Sequence, residues 1–321
     1  MGISLSTAWN AFRYDNGKEI VREIKGLGFS SVELSFNLTG GIVRDIAELA
    51  EEKQIKVSSL HNYCPIPEGL SRQEALPDCF SLASLDPEQR RKAVKYTKIS
   101  IDTAFRLKAV AVVLHCGRVE IPDRTRELFV FYANKSGLSS APARRLKDKM
   151  RQEREARISG HLDAVLKSLE ELVDYSTRLK VKLGIENRFY FREIPSFEET
   201  AKILERFQGA NVFYWHDTGH AQLWENLGFL RHRDYLERYQ QSLLGLHLHD
   251  IKGTRDHLAP GTGDYDFSVL KPYLKRDTIK TMEAHHPASP REIIQAREFL
   301  DLSFMDGKVC PSGQEGLCGS N

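Results

Sequence analysis

Two rhythms of apolar and polar positions alternate along the chain. Short runs rich in β-branched and other apolar residues occur at 3–7, 31–34, 56–60, 110–114, 181–185, 212–217, 243–249 and 278–282. Each has the length of a buried strand. Between them, apolar residues recur at three- and four-residue spacing over 18–27, 42–53, 87–107, 160–179, 197–207, 234–241, 267–274 and 290–302. That spacing predicts amphipathic helices with one face turned to a core. Strand then helix, repeated, is the pattern of parallel β/α units.

Eight such units in 321 residues predict a single-domain (β/α)8 TIM barrel over 1–304, its strand C-termini opening on one mouth. A doubly wound open sheet is the alternative, but it would gather its site at one switch point. Here polar or ligand-type residues close nearly every run from the second onward: Glu33, His61, His115, Glu186, Asp217, His247 and Glu283. Two stretches break the rhythm. Residues 62–85, with Pro65, Pro67 and Pro77, predict a long loop near a binding site. Residues 118–159 predict an irregular or helical insertion after the fourth strand. Its 144–157 portion holds seven basic residues among Asp148, Glu153 and Glu155. It reads either as a solvated helix or as a basic lid over an anionic substrate. The glycine-rich end predicts a disordered tail over 305–321.

Composition narrows the class. At 41% hydrophobic and 28% charged residues the chain reads as an ordinary globular protein. The start, M-G-I-S-L-S-T-A-W, has no basic segment before a long apolar stretch, and no run approaches about 18 uninterrupted apolar residues. No signal peptide or membrane span is expected, and the default location is cytoplasmic. Five scattered cysteines without a C-x-x-C pair predict free thiols rather than disulfides or a zinc ribbon. A net charge of +2 gives no field that calls for nucleic acid.

The chemistry gathers where the later strands stop. At 212–221 the chain reads V-F-Y-W-H-D-T-G-H-A, a strand ending in His216 and Asp217 with a turn to His220. Barrel closure would set Glu186, Asp217, His247 and Glu283, ending the fifth to eighth strands, around one point. Three carboxylates in contact raise one another's pKa, and a divalent cation at about 2.0–2.2 Å removes the repulsion. The predicted cofactor is therefore a divalent metal, and mixed oxygen and nitrogen ligation suits Mn, Co, Fe or Zn alike.

G-I-E-N-R at 184–188, H-D-T-G-H-A at 216–221, L-H-L-H-D at 246–250, H-L-A-P-G-T-G-D-Y-D-F at 257–267 and T-M-E-A at 281–284 together resemble the xylose-isomerase-like barrels. That group holds sugar and sugar-phosphate isomerases and epimerases, inosose dehydratases and endonuclease IV repair enzymes, and the resemblance spans about 1–303. It implies that Glu186, Asp217, His247 and Glu283 bind a catalytic metal, with Glu186 and Glu283 exchanging protons with the substrate. In the endonuclease-IV-like members, histidines ending the third and fourth strands join the first glutamate around a further zinc. His61 in L-H-N-Y and His115 in L-H-C-G stand in those positions, and either hold a metal or hydrogen-bond a sugar hydroxyl. A third zinc there would need His220, His257 and an aspartate two residues before His257. That position is Arg255, and Asp256 would face the other way on an extended segment.

Lesser candidates are Glu33 as a sugar-hydroxyl acceptor, Arg188 as a partner of Glu186 or of substrate oxygen, and Lys252 as a contact to an anionic group. His216, facing opposite to Asp217, is expected in the core. His249 shares the parity of His247 and is expected in the pocket. Asp250 is an acceptor able to orient a histidine, and Trp9 and Phe36 either stack on a sugar ring or pack. The expected function is a metal-dependent sugar, sugar-phosphate or polyol isomerase or epimerase working through an enediolate. The alternatives are a zinc-dependent abasic-site endonuclease and a barrel that binds without turnover. Expected partners are a small carbohydrate and possible further copies of the chain in a homo-oligomer; nucleic acid and membranes are not expected.

Overall fold

Eight parallel strands close on themselves in the computed structural model, which describes residues 2–134 and 137–305. They are β1 (Ser4–Ser6), β2 (Ser31–Leu34), β3 (Lys56–His61), β4 (Ala111–Leu114), β5 (Lys182–Glu186), β6 (Val212–Asp217), β7 (Leu243–Leu248) and β8 (Ile279–Met282). Each pairs with its chain neighbours, and β8 returns to β1 through Ser4↔Thr281 and Leu5↔Met282. The sheet has no free edge, so the predicted barrel forms and the open sheet is excluded.

Helices α1 (Gly17–Gly26), α2 (Gly40–Glu51), α3 (Pro87–Arg106), α4 (Thr125–Tyr132), α5 (Ala141–Glu155), α6 (Ile158–Leu179), α7 (Phe197–Arg206), α8 (Thr218–Asn226), α9 (His232–Tyr239) and α10 (Pro290–Phe304) follow. Most start at a residue whose side chain accepts from the first exposed backbone N–H groups. Asn16, Thr39 and Asp86 do so for the first three, and capping boxes Ser196/Glu199 and Ser289/Glu292 open α7 and α10. Phe267–Tyr273, read as an α-helix, is a 3-10 helix containing Pro272, which has no N–H for an α-type bond.

The largest side chain inside the barrel is an indole, packed with Ala111, Val113, Leu244 and Ile279 of other strands. Trp215 on β6 is fully buried, and a Cβ on Gly184 of β5 or Gly245 of β7 would come within 2.9 and 2.5 Å of its ring. Two glycines therefore make room for one indole below the strand ends.

The insertion is mostly helical, carrying α4 and α5. Helix α5 docks on the barrel wall. Its Arg154 is buried, donating to Glu199 and to the carbonyls of Phe191 and Glu193, and Lys147 Nζ donates to the carbonyl of Leu227. None of 144–157 lines the cavity described below, so the lid reading has no support and the helix is a solvated one with two inward cations. Cys64, Cys79 and Cys116 are free; Cys310 and Cys318 lie outside the described residues, as does the predicted tail beyond Met305. Among the described residues no helix is long and apolar enough to cross a membrane.

Candidate metal centre and cavity

Glu186, Asp217, His247 and Glu283 each offer one ligand atom within a group whose atoms all lie within 4.8 Å of one another. Register explains the convergence: Asp217 pairs with His247, and His247 with Thr281, two residues before Glu283. The Glu283 N–H bonds back to the carbonyl of Leu248 at 3.0 Å. His247 Nδ1 stands 2.8 Å from Glu186 Oε1 and 2.9 Å from Glu283 Oε2, while its Nε2 is 2.9 Å from Glu33 Oε1. Glu33, fully buried, also accepts from Ser59 Oγ at 2.7 Å. It does not line the cavity, so it is no acceptor for a sugar hydroxyl. It backs the imidazole from beneath and points Nδ1 at the cluster, the support a ligating histidine needs.

Charge follows the geometry. Burial alone would lower the His247 pKa, but Glu283, Glu33 and Glu186 hold it well above the usual imidazole range. Burial would raise Glu186 and Glu283, yet the facing histidines pull both carboxyls well below their usual range. Three carboxylates and one Nδ1 in this arrangement match the donor set of a divalent cation.

Three further groups flank this one; one of them, His257, Glu283 and His285, shares members with the others. On the β3–β4 side, His61, His115 and Glu186 bring ligand atoms together. His61 Nδ1 donates to its neighbour's carbonyl, that of Asn62, at 3.0 Å, which leaves the Nε2 lone pair facing Glu186 Oε2 at 3.7 Å. His115 Nε2 is 2.7 Å from the same oxygen, and its Nδ1 is 3.6 Å from Asp78 of the 62–85 loop. Arg188 Nη1 takes a third position on Glu186 Oε2 at 2.8 Å, and its Nη2 donates to Glu193 Oε1 at 3.2 Å. Arg188 thus orients Glu186, one of its two expected roles.

On the other side lie Asp217, His220, His249 and His257. Asp217 caps α8, its Oδ1 accepting from the His220 N–H at 2.7 Å. What reads as a turn through Thr218 and Gly219 is therefore a helix start that locks the ligand. Gly219 is needed there, because a Cβ would lie 2.1 Å from the His249 ring. His220 Nδ1 donates to the carbonyl of Asn187 at 3.0 Å, and burial lowers its pKa, leaving Nε2 a free lone pair. His249 Nε2 is 2.9 Å from Asp217. Asp256 faces His257, Oδ2 to Nδ1 at 2.8 Å, and lines the cavity. The expectation that it points away fails because the hairpin Asp250–Lys252 and Arg255–Leu258 carries a register break and His257 has a left-handed φ of 53°. Strand alternation does not hold across such a kink.

Of these residues His61, His115, Glu186, His220, His257 and Glu283 line one cavity of about 630 Å³, with Phe36, Phe129, Phe189, Tyr190, Arg118, Arg126 and Arg192. Asp217, His247 and His249 are fully buried behind that lining, so His249 is not in the pocket, where its parity with His247 predicts it. The Xylose isomerase-like TIM barrel family matches residues 21–302. The chain belongs to that family. An uncharacterized protein of Methanocaldococcus jannaschii is 24% identical over 235 residues, 71% of this chain and 68% of its own. Among solved structures, a D-tagatose 3-epimerase-like protein superposes with a TM-score of 0.65 at 18% identity, covering 94% of this chain and 97% of that one. The 3-keto-D-glucoside 4-epimerase of E. coli gives 0.67 at 14%, covering 94% and 99%, and an L-ribulose 3-epimerase 0.65 at 16%, covering 95% of each. At these identities the likeness is one of fold.

Within this xylose-isomerase-like barrel the remaining candidates separate. Lys252 is exposed on the hairpin and does not line the cavity, because the hairpin carries it away from the mouth. Asp250 orients no histidine; its carboxylate accepts from the N–H groups of Ile251, Gly261, Gly263 and Tyr265 and shapes the 250–265 loop. Trp9 is buried and donates to the carbonyl of Ala288, whereas Phe36 lines the cavity. His216 is in the core, between Tyr214 at 2.7 Å and His232 at 2.8 Å, and Tyr214 Oη donates to Asn187 Oδ1, which also accepts from the Asp217 N–H. Burial pushes His216 down to about 3 and His232 well below its usual value. Sequence reasoning missed Asp78, Glu193, His285, Arg118, Arg126 and Arg192, which come from loops, a two-residue pairing and the short insertion helix α4.

Proposed function

We propose that this protein is a divalent-metal-dependent isomerase or epimerase acting on a ketose or related polyol. The observation that carries the reading is the convergence of Glu186, Asp217, His247 and Glu283, of which Glu186 and Glu283 line a cavity open to solution. The folds it superposes on, whose names include tagatose, 3-keto-glucoside and ribulose epimerases, support it. Those four residues would hold the cation, whose charge would supply acidity to a carbon-bound proton beside a carbonyl.

The chain's own residues do the rest. Glu186 is kept ionised by Arg188 and His115 and is ready to accept that proton. Glu283, ion-paired to His247 and lining the cavity, would take up a proton from solvent and deliver it to the other face of the enediolate, while the proton taken by Glu186 passes to solvent. Phe36, Phe129 and Phe189 offer apolar surface to the sugar's carbon skeleton and exclude water.

Turnover of a ketose in heavy water should introduce deuterium at the carbon beside the carbonyl. Glu283→Gln should suppress that exchange by about 10²- to 10⁴-fold, with metal content measured on the same sample. Conversion without any solvent deuterium in the product would sink the two-glutamate mechanism.

A second reading has its own observation. His61, His220 and His257 each have Nδ1 backed by an oxygen acceptor with Nε2 left over, and three further ligand groups flank the first. That is the equipment of a multi-metal hydrolase, and it favours phosphodiester hydrolysis at abasic DNA. Elemental analysis giving three zinc ions per chain together with nicking of abasic duplex would establish it in place of the isomerase.

A further inference from the structure

The cavity's floor is acidic, but one of its walls is not. That wall is built from 117–132 and 188–194, joined by the antiparallel pairing Arg118↔Glu193 and by Phe191 N–H to Thr125 Oγ1 at 2.9 Å. It brings Arg118, Arg126, Arg188 and Arg192 to the same space. Each has donors to spare. Arg118 is exposed, and its guanidinium has no hydrogen bond or ion pair among the described residues. Arg126 spends one nitrogen on Tyr190 Oη at 2.8 Å. Arg192 has its nearest carboxylate, Asp123, 3.8 Å from Nε, and that Nε is shut from solvent without a hydrogen bond. Arg188, itself buried, leaves Nε equally unpartnered.

Most carboxylates lining the same cavity are already answered; Asp78 Oδ1 is shut from solvent without a hydrogen bond, 3.6 Å from His115 Nδ1. Asp256 faces His257, Glu193 takes Arg188 and the Tyr190 N–H, Asp78 faces His115, and Glu186 and Glu283 belong to the cluster. The unmatched cationic donors are guanidinium forks, which fit the oxygens of a phosphate dianion two at a time. A cavity of this volume takes ligands larger than a bare ring.

We infer that this arginine wall is a subsite for a phosphate ester, and that the substrate is a phosphorylated sugar whose carbonyl end meets the carboxylate cluster. The inference rests on the isomerase reading for the fate of that end, but the subsite itself is read by binding.

The test uses the full-length, metal-loaded protein and paired probes: D-fructose with D-fructose 6-phosphate, D-ribulose with D-ribulose 5-phosphate, and D-tagaturonate as a carboxylate control. Calorimetric Kd values should favour the phosphorylated member by about tenfold or more, the scale of one or two charge-assisted hydrogen bonds. In Arg118→Gln/Arg126→Gln, both exposed positions where folding is not at stake, that ratio should fall to within about threefold, and Arg192→Gln should lower it separately. Equal affinity within each pair, tighter binding of the uronate, or a ratio untouched by these substitutions would overturn the subsite. Tighter, arginine-dependent binding of abasic duplex DNA would overturn it too, by assigning the wall to a nucleic acid backbone. A phosphate preference without deuterium exchange leaves the subsite standing and removes the isomerase reading; exchange without the preference does the reverse.

Discussion

The floor and the arginine wall of the cavity are held by different physics. Glu186 and Asp217 end barrel strands, His247 stands one residue before a strand end and Glu283 one residue after; all four are buried, and His247 is fixed between Glu33 and two carboxylates. The wall is assembled from an insertion helix and a two-residue pairing, its arginines range from buried to exposed, and several of their donors are unmatched. A parallel barrel delivers strand-end side chains with little freedom, while the loops above can change without disturbing them. On the proposed reading the floor sets the reaction, and the wall selects what reaches it.

The sharpest way to break that division is to disturb the floor from below. Glu33→Gln keeps shape and the Ser59 contact but removes the charge behind His247 Nε2. Affinity for Mn²⁺ or Zn²⁺, measured by chelator competition, should fall about 10- to 100-fold, the usual cost of losing a carboxylate behind a ligating histidine. The wall substitutions should leave metal affinity where it is. Wild-type metal affinity in Glu33→Gln would mean that barrel geometry alone aims the imidazole.

The same contrast explains what could be read from the sequence. Strand runs ending in Glu186, Asp217, His247 and Glu283 are visible because strand spacing and barrel closure are regular. Glu33 was visible as a strand-end acid but not in its role, since nothing in a sequence says that one carboxylate lies under another strand's histidine. Asp256 was misjudged because the left-handed φ at His257 interrupts alternation locally. Helix α8 was hidden because Asp217 is both ligand and cap. The wall depends on Arg118 pairing with Glu193, 75 residues on along the chain, a contact with no periodic signature.

A smaller effect sits behind the floor. His232 is buried with its Nε2 2.8 Å from His216 and 3.0 Å from Tyr265 Oη, and burial followed by the neighbouring His216 holds it well below 6.5. The unfolded chain takes up that proton first as the pH falls, so this contribution to stability is whole above about pH 6.5 and is lost below it. One such group changes stability by about 1.4 kcal/mol per pH unit. Denaturant titrations of wild type and His232→Gln between pH 6.5 and 5 should differ in slope by that amount, with the wild type steeper. Parallel slopes would mean that the buried pair already accommodates a proton.

The least change is expected at Lys252, and it is the control that separates a subsite from a field. Lys252 is exposed and outside the cavity lining, so its charge can reach an anionic ligand only through solvent. At physiological salt such interactions fade over about 8 Å. If the wall works by contact, Lys252→Ala should shift the affinity ratio of D-fructose 6-phosphate to D-fructose by less than about twofold, within the usual range for a surface substitution, while Arg118→Gln acts fully. If the mouth instead draws anions by its summed charge, the two substitutions should have similar effects, both shrinking steeply as salt rises. Equal, salt-sensitive losses would replace the contact account of specificity with a steering one and would leave the floor's role untouched, because neither residue touches the carboxylate cluster.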